Sequence, residues 1–264
     1  MFAEAELLET YRPGDSGAPP ERRELRSLPP ERSSLERRVL RPGEGVLYRI
    51  PERKRLELDT SKNHIVHFFV ERGLLALSVL YRPGPPVAVN AARDRMAGLL
   101  RLLKHEFRFR ADTDIHPIFD DTLAAMLRDR ELRCTGDTIE FGEGREGWPA
   151  HIWLQTYAAI IRSFIEGYRV AARALTLLVK GPLTEKDLVK RALVLGDRMY
   201  LSNDIELREA VSKPLIVNAL TAFREEGYLR LQAGKYSLTD SFATAEAVGA
   251  IEGRIVGFCS GFSG

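Results

Sequence analysis

The feature that most constrains this chain is a passage that occurs twice. Residues 122–141 read TLAAMLRDRELRCTGDTIEF, and residues 219–238 read ALTAFREEGYLRLQAGKYSL. Shifted by 97 positions, Leu123 meets Leu220, Met126 meets Phe223, Leu132 meets Leu229 and Ile139 meets Tyr236. The first part of each passage has the spacing of an amphipathic helix ending in a charged turn. The second part predicts a two-stranded ribbon that turns at TGD or at AGK.

A helix followed by a ribbon, with helices upstream, is the shape of a winged helix-turn-helix module. PLTEKDLVKRAL (182–193) and DIELREAV (204–211) supply the earlier helices of the second copy. Thr184 with Asp187 imitates a capping box, with Asp in place of Glu. The predicted fold is mainly α: a helical domain with short β-ribbons and two winged-helix-like units, at about 90–142 and 182–240.

Other segments fit around these units. VLYRI, after Gly45, predicts a short strand, and residues 89–105 predict a helix. YRPGPP (81–86) is a break. HIWLQTYAAIIRSFIEGYRVAARALTLLVK (151–180) is apolar with charges at helical spacing, Arg162, Glu166, Arg169 and Arg173. It predicts one long, mostly buried helix with a single wet stripe. Trp148 and Trp153 flank its start as core anchors.

Residues 1–42 differ from the rest. They hold six of the 14 prolines, and eight Arg balance eight Asp and Glu, so the segment cannot bury enough apolar area to offset its ordering entropy. It is expected to be disordered or weakly helical, with short helices near 2–10 and 31–39. The main domain is then 43–256, and GFCSGFSG (257–264) is a flexible tail.

The balance of 39 basic against 37 acidic residues gives no general argument for nucleic acid or an anionic surface. Cys134 and Cys259 are too few for a disulfide framework and fit a reducing cytosol. The start MFAEAELLETYRPG is acidic where a signal peptide is basic. No apolar run reaches the ~18 residues that would span a bilayer.

HPIFDD (116–121) places His116 and Asp121 at the H-x4-D spacing of glycerolipid acyltransferases. There the His takes a proton from an alcohol and the Asp orients the imidazole. The partner blocks for the phosphate are missing. FGEGR (141–145) is the one near-match, and it lacks the Pro and follows His116 too closely. HPIFDD reads instead as a helix start, with Asp114 or His116 as cap and Pro117 in the first turn. His116 and Asp121 are therefore a chance pattern, and no catalytic residue is assigned. His64 and His67 stand three apart, but no further ligand accompanies them, so no metal site and no cofactor is expected.

Other residues carry a resemblance. PERKRLELDTSKNHIVHFFVERGLLALSVL (51–80) resembles the C-terminal region of bacterial membrane-bound glycerol-3-phosphate acyltransferases. In that family a Pro-started helix carries Tyr-Arg-Asn-Asn-x-x-His, followed by an apolar helix. Asn63 and His67 match its Asn and His, while Ser61 and Lys62 depart from its Tyr and Arg. LKHEFRFRADTDIHPIFDDTLAAMLRD (103–129) and PLIVNALTAFREEGYL (214–229) resemble the next family segments, so the likeness runs over about 45–240.

The resemblance implies an accessory region of a glycerol-3-phosphate 1-O-acyltransferase, without the H-x4-D core and inactive alone. The complete family protein takes its acyl group from acyl-CoA or acyl carrier protein. The implied partner is the acyltransferase catalytic domain, in cis or in trans, with Asn63 and His67 as interface candidates. The implied location is cytoplasmic, peripheral on the inner face of the cell membrane, with no nucleic acid and no small-molecule substrate bound by this region alone. The alternative is a winged-helix DNA-binding regulator. Its recognition helix would lie near 215–226, but LIVNALTAFREE ends in two carboxylates that would repel phosphates.

Overall fold

The structure, a computed structural model, describes residues 9–11, 47–49, 66–81, 83–107 and 115–259. The chain divides into two compact units, 1–65 and 66–264. In the first unit, β1 (Glu9–Tyr11) pairs antiparallel with β2 (Leu47–Arg49), Glu9 opposite Arg49 and Tyr11 opposite Leu47. The VLYRI strand is thus present. Residues 9 and 10, expected in a short helix, belong to a strand, because a ladder formed with residues far along the chain outweighs local propensity. The rest of 1–42, with its second expected helix, lies outside the described residues.

The second unit is built around α1 (Val70–Leu80). Val70, Leu74, Leu75, Ala76, Leu77 and Val79 are all buried, so this helix is covered on nearly every side. A 3-10 turn, Val66–Phe68, leads into it. There follow β3 (Val87–Ala88), α2 (Val89–Leu102), α3 (Ile115–Arg128), β4 (Leu132–Thr135) and β5 (Thr138–Phe141). After α4 (Ala150–Ile160), the second copy repeats the plan. It comprises α5 (Arg162–Ala174), β6 (Leu183–Thr184), α6 (Glu185–Leu201), α7 (Lys213–Glu225), β7 (Leu229–Gln232) and β8 (Lys235–Leu238). The strand order is β3-β5-β4 in one sheet and β6-β8-β7 in the other.

All four residue pairs matched by the shift of 97 are buried. Each ribbon also gains a third strand that the sequence does not announce, since two residues are too short to show a period of two. Val87 lies opposite Ile139, and Leu183 lies opposite Tyr236, the partner of Ile139 in the shifted copy. The turn of the second ribbon places Ala233 and Gly234 at φ 49° and 74°, the left-handed pair such a tight hairpin requires. At the start of α6 the Thr184 hydroxyl accepts the Asp187 N–H at 3.1 Å and donates to the Asp187 carboxylate at 2.8 Å.

Segment 151–180 departs from expectation. It is broken at Ile161 (φ −103°, ψ 6°) into α4 and α5, and α5 runs on into a 3-10 turn, Leu175–Lys180. The charges are not a wet stripe. Glu166 is 2% exposed, and its carboxylate accepts Arg162 Nε at 2.8 Å and the N–H groups of Glu206 and Leu207 at 3.1 and 2.8 Å. Arg173 bridges Asp204 and Glu252, each at 2.6 Å. Periodicity put these charges on one side, but the loop after α6 and the last helix, α8 (Ala245–Cys259), cover that side. α8 also carries the expected tail into helix as far as Cys259. Residues 260–264 lie outside the described residues. Cys134 and Cys259 are free thiols.

Candidate docking surface

Val66 is buried and anchors the 3-10 turn, which leaves the next two side chains outside. Phe68 is 82% exposed, and His67 is exposed with its ring edge-on to Phe107 at 6.0 Å. Phe69, the N-cap of α1, stacks on Tyr157 at 6.2 Å. Of the residues singled out in sequence, His67 is on this surface. Asn63 and His64 lie outside the described residues.

Tyr157 leads to a buried polar node. Arg130, at φ 58°, adopts the left-handed turn after α3, and the next side chain, Glu131, is completely buried. Its Oε2 accepts Arg72 Nη1 at 2.7 Å, and its Oε1 accepts the Tyr157 hydroxyl at 2.7 Å. Arg145 brings Nε to 3.1 Å from Oε1 without aligning that N–H for a hydrogen bond, and donates from Nη2 to the Tyr157 oxygen at 3.0 Å. Arg72 also donates to Asp129 at 2.5 Å, and Arg145 lies over the Trp153 ring at 4.2 Å. The hydrogen bond from Arg72 holds the Asp129 carboxyl below the usual range. Burial, with Glu131 beside it, pushes the Tyr157 phenol up.

Two guanidiniums face two carboxylates, so the node is balanced and its acceptors are used. It ties the first ribbon to α1 and α4, leaving no group free for acid–base work. FGEGR is part of this tie. A Cβ at Gly142 would lie 2.2 Å from the Arg130 carbonyl, and one at Gly144 would lie 2.0 Å from that of Trp148. These glycines therefore serve close backbone contact, and Arg145 is spent on Glu131.

His116 and Asp121 both lie on α3. Five residues of helix rotate by ~500°, which leaves the two positions ~140° apart around the axis. That is a poor arrangement for a carboxylate meant to orient an imidazole. Asp121 is exposed, and its neighbour Asp120 pairs with Arg93 at 2.8 Å. Among the described residues, no three His, Cys, Asp or Glu converge as a metal site.

Residues 26–232 match the family described as the glycerol-3-phosphate acyltransferase C-terminal region. The chain belongs to this family. The match begins within the segment that composition sets apart at 1–42, and it ends with β7, so this acyltransferase C-terminal region includes most of both copies. No curated protein matches the chain. Among the described residues, no helix is long and apolar enough to cross a membrane.

Sequence reasoning missed the central members of the node in this acyltransferase region. Glu131 sits in DRE, which reads as a solvated turn, and Arg72 follows another Glu on an otherwise apolar helix. One signal was available: the shift of 97 sets Glu131 opposite Tyr228, which marks position 131 as one that faces inward.

Proposed function

We propose that this chain is a non-catalytic docking region of a glycerol-3-phosphate 1-O-acyltransferase. It packs on the catalytic domain through the surface around His67, Phe68 and Phe69. The acyl transfer, from acyl-CoA or acyl carrier protein to glycerol 3-phosphate, takes place on that domain. The two repeated units act as winged-helix-like packing modules, and the assembly sits peripherally on the cytoplasmic face of the membrane. The observation that carries this reading is Phe68, 82% exposed beside His67 on a turn that begins at the buried Val66. A large aromatic side chain held in water next to the core is the form of a binding anchor.

Docking is supported over DNA binding by the helices that would read bases. On α7, Leu215, Ile216, Ala219, Leu220 and Phe223 are buried, and the Asn218 amide donates to the His105 carbonyl at 3.4 Å. On α3, Asp120 and Asp121 are exposed.

The test is a pull-down of the full chain with a separately expressed catalytic domain of the family. Phe68→Ala, and the pair Asn63→Ala with His67→Ala, should leave the melting temperature of the chain nearly unchanged. Each should weaken association by about tenfold or more. Undiminished association would refute the docking surface. Release of CoA from palmitoyl-CoA and glycerol 3-phosphate by the chain alone, lost in His116→Ala, would refute the non-catalytic reading.

A further inference from the structure

A cavity of about 300 Å³ opens between α2, the end of α7 and α8. Its apolar lining includes Leu102, Phe223, Ile251, Ile255 and Phe258. Three guanidiniums, those of Arg95, Arg101 and Arg254, line it against a single carboxylate, Glu226, whose nearest oxygen is 3.9 Å from Arg101. Among the described residues neither Arg95 nor Arg254 has an ion-pair partner. Both lie over aromatic faces instead, Arg95 at 4.6 Å from the Tyr81 ring centre and Arg254 at 5.4 Å from that of Tyr228. Arg95 is further fixed by donating to the Ser78 carbonyl at 3.1 Å.

Gly98 makes the cavity more than an accident of packing. It lies inside α2, where a glycine weakens the helix. A Cβ there would meet no atom within 4 Å, so close packing does not require the glycine. At the opposite wall, Gly257 lets Tyr81 approach so closely that a Cβ would be 2.3 Å from the ring. One glycine leaves the cavity open, and the other seats the aromatic on which Arg95 lies.

We propose that this cavity binds a single-chain anionic amphiphile, an alkyl tail ending in a phosphate monoester or carboxylate. The tail occupies the apolar lining, and the head meets the forked donors of Arg95, Arg101 and Arg254. Arg fits this role because its planar fork matches such oxyanions and it stays charged against an aromatic face. The volume is at the lower end of the ~300–1,000 Å³ typical of small-molecule sites, so it takes one chain rather than two. The inference is independent of the docking surface at His67, and its test uses the chain alone.

The experiment is isothermal titration of the full chain with decyl phosphate below its micelle concentration. Saturable binding at one site is expected, with none for inorganic phosphate or for decyltrimethylammonium. Gly98→Leu fills the cavity and Arg254→Gln removes a head contact; each should weaken binding by about tenfold or more. Thermal melting checks that each variant is folded, and the exposed Arg254 position decides the matter if Gly98→Leu is not. Vesicles containing phosphatidic acid identify the source. Capture that Gly98→Leu abolishes points to a bilayer lipid, whereas binding of decyl phosphate without capture points to a free amphiphile. The proposal is overturned if decyl phosphate does not bind, if the cationic amphiphile binds equally, or if the variants bind like the unmodified chain. Vesicle capture indifferent to Gly98→Leu, without decyl phosphate binding, would also overturn it.

Discussion

Glu131 and Tyr228 occupy the same point in the two copies and use it for opposite ends. Each donates its N–H at 2.9 Å to the carbonyl five residues earlier, Met126 or Phe223. The carbonyls of Glu131 and Tyr228 themselves then accept the N–H that closes each ribbon, from Gly142 at 3.1 Å and from Thr239 at 3.0 Å. The backbone is duplicated, but the side chains are not. Glu131 is sealed beneath two arginines, while Tyr228 packs on Phe242 at 4.8 Å and lines a cavity.

Removing Glu131 should therefore be severe. Glu131→Ala takes the acceptor from the buried Tyr157 hydroxyl and leaves Arg72 with Asp129 alone, and a buried donor left unmade costs about 1–3 kcal/mol. Glu131→Gln keeps the shape and one acceptor and should cost clearly less. Urea unfolding followed by circular dichroism measures both. Equal, small losses would mean that the node adds little to stability.

Two glycines should respond in opposite ways to one substitution. Gly98→Ala meets open space in α2 and should stabilise by about 0.5–1 kcal/mol. Gly167→Ala in α5 puts a Cβ 2.9 Å from the Leu215 side chain and 3.0 Å from the Ala210 carbonyl, and overpacking of this kind costs about 1–3 kcal/mol. Melting temperatures of the two variants should move apart. A shift in the same direction for both would contradict the packing described for α2 or α5.

Glu106 gives stability a pH dependence. Burial pushes its carboxyl above the ordinary range, although Asn218, Tyr168 and His105 pull it back. Among the described residues its Oε1 and the Tyr168 hydroxyl are both buried and neither makes a well-aligned hydrogen bond. A carboxyl whose pKa is raised on folding favours the folded state at pH below its unfolded value, and that advantage is lost as pH rises through its folded value. Glu106→Gln should thus raise the melting temperature at pH 7–8 relative to the unmodified chain, with the gain shrinking toward pH 4. A gain that does not change with pH would mean the effect is steric.

The repeat was legible because Leu123, Met126, Leu132 and Ile139 recur as residues of the same character 97 positions on, and burial selects for that character. The break at Ile161 was not. TYAAIIRSF contains no Gly or Pro, so the interruption comes from packing α4 on α1 and α5 on its own neighbours. Glu166 and Glu131 were hidden for a related reason. A Glu at helical spacing or in a charged turn looks solvated until the loop or helix that covers it is known. Phe68 could not be told from its buried neighbours, because an apolar run does not show which residue the turn pushes out.

Ile161 joins the copies in more than sequence. Its buried side chain lies against Gly73 of the first copy, where a Cβ would come within 3.2 Å of it, and its backbone caps the first helix of the second. One continuous core runs through both copies. The halves therefore have no separate thermodynamic existence. Heating the chain should give a single endotherm from residues 66–259, with calorimetric and van't Hoff enthalpies in agreement, and a chain severed at Ile161 should yield two pieces that aggregate instead of two domains that fold.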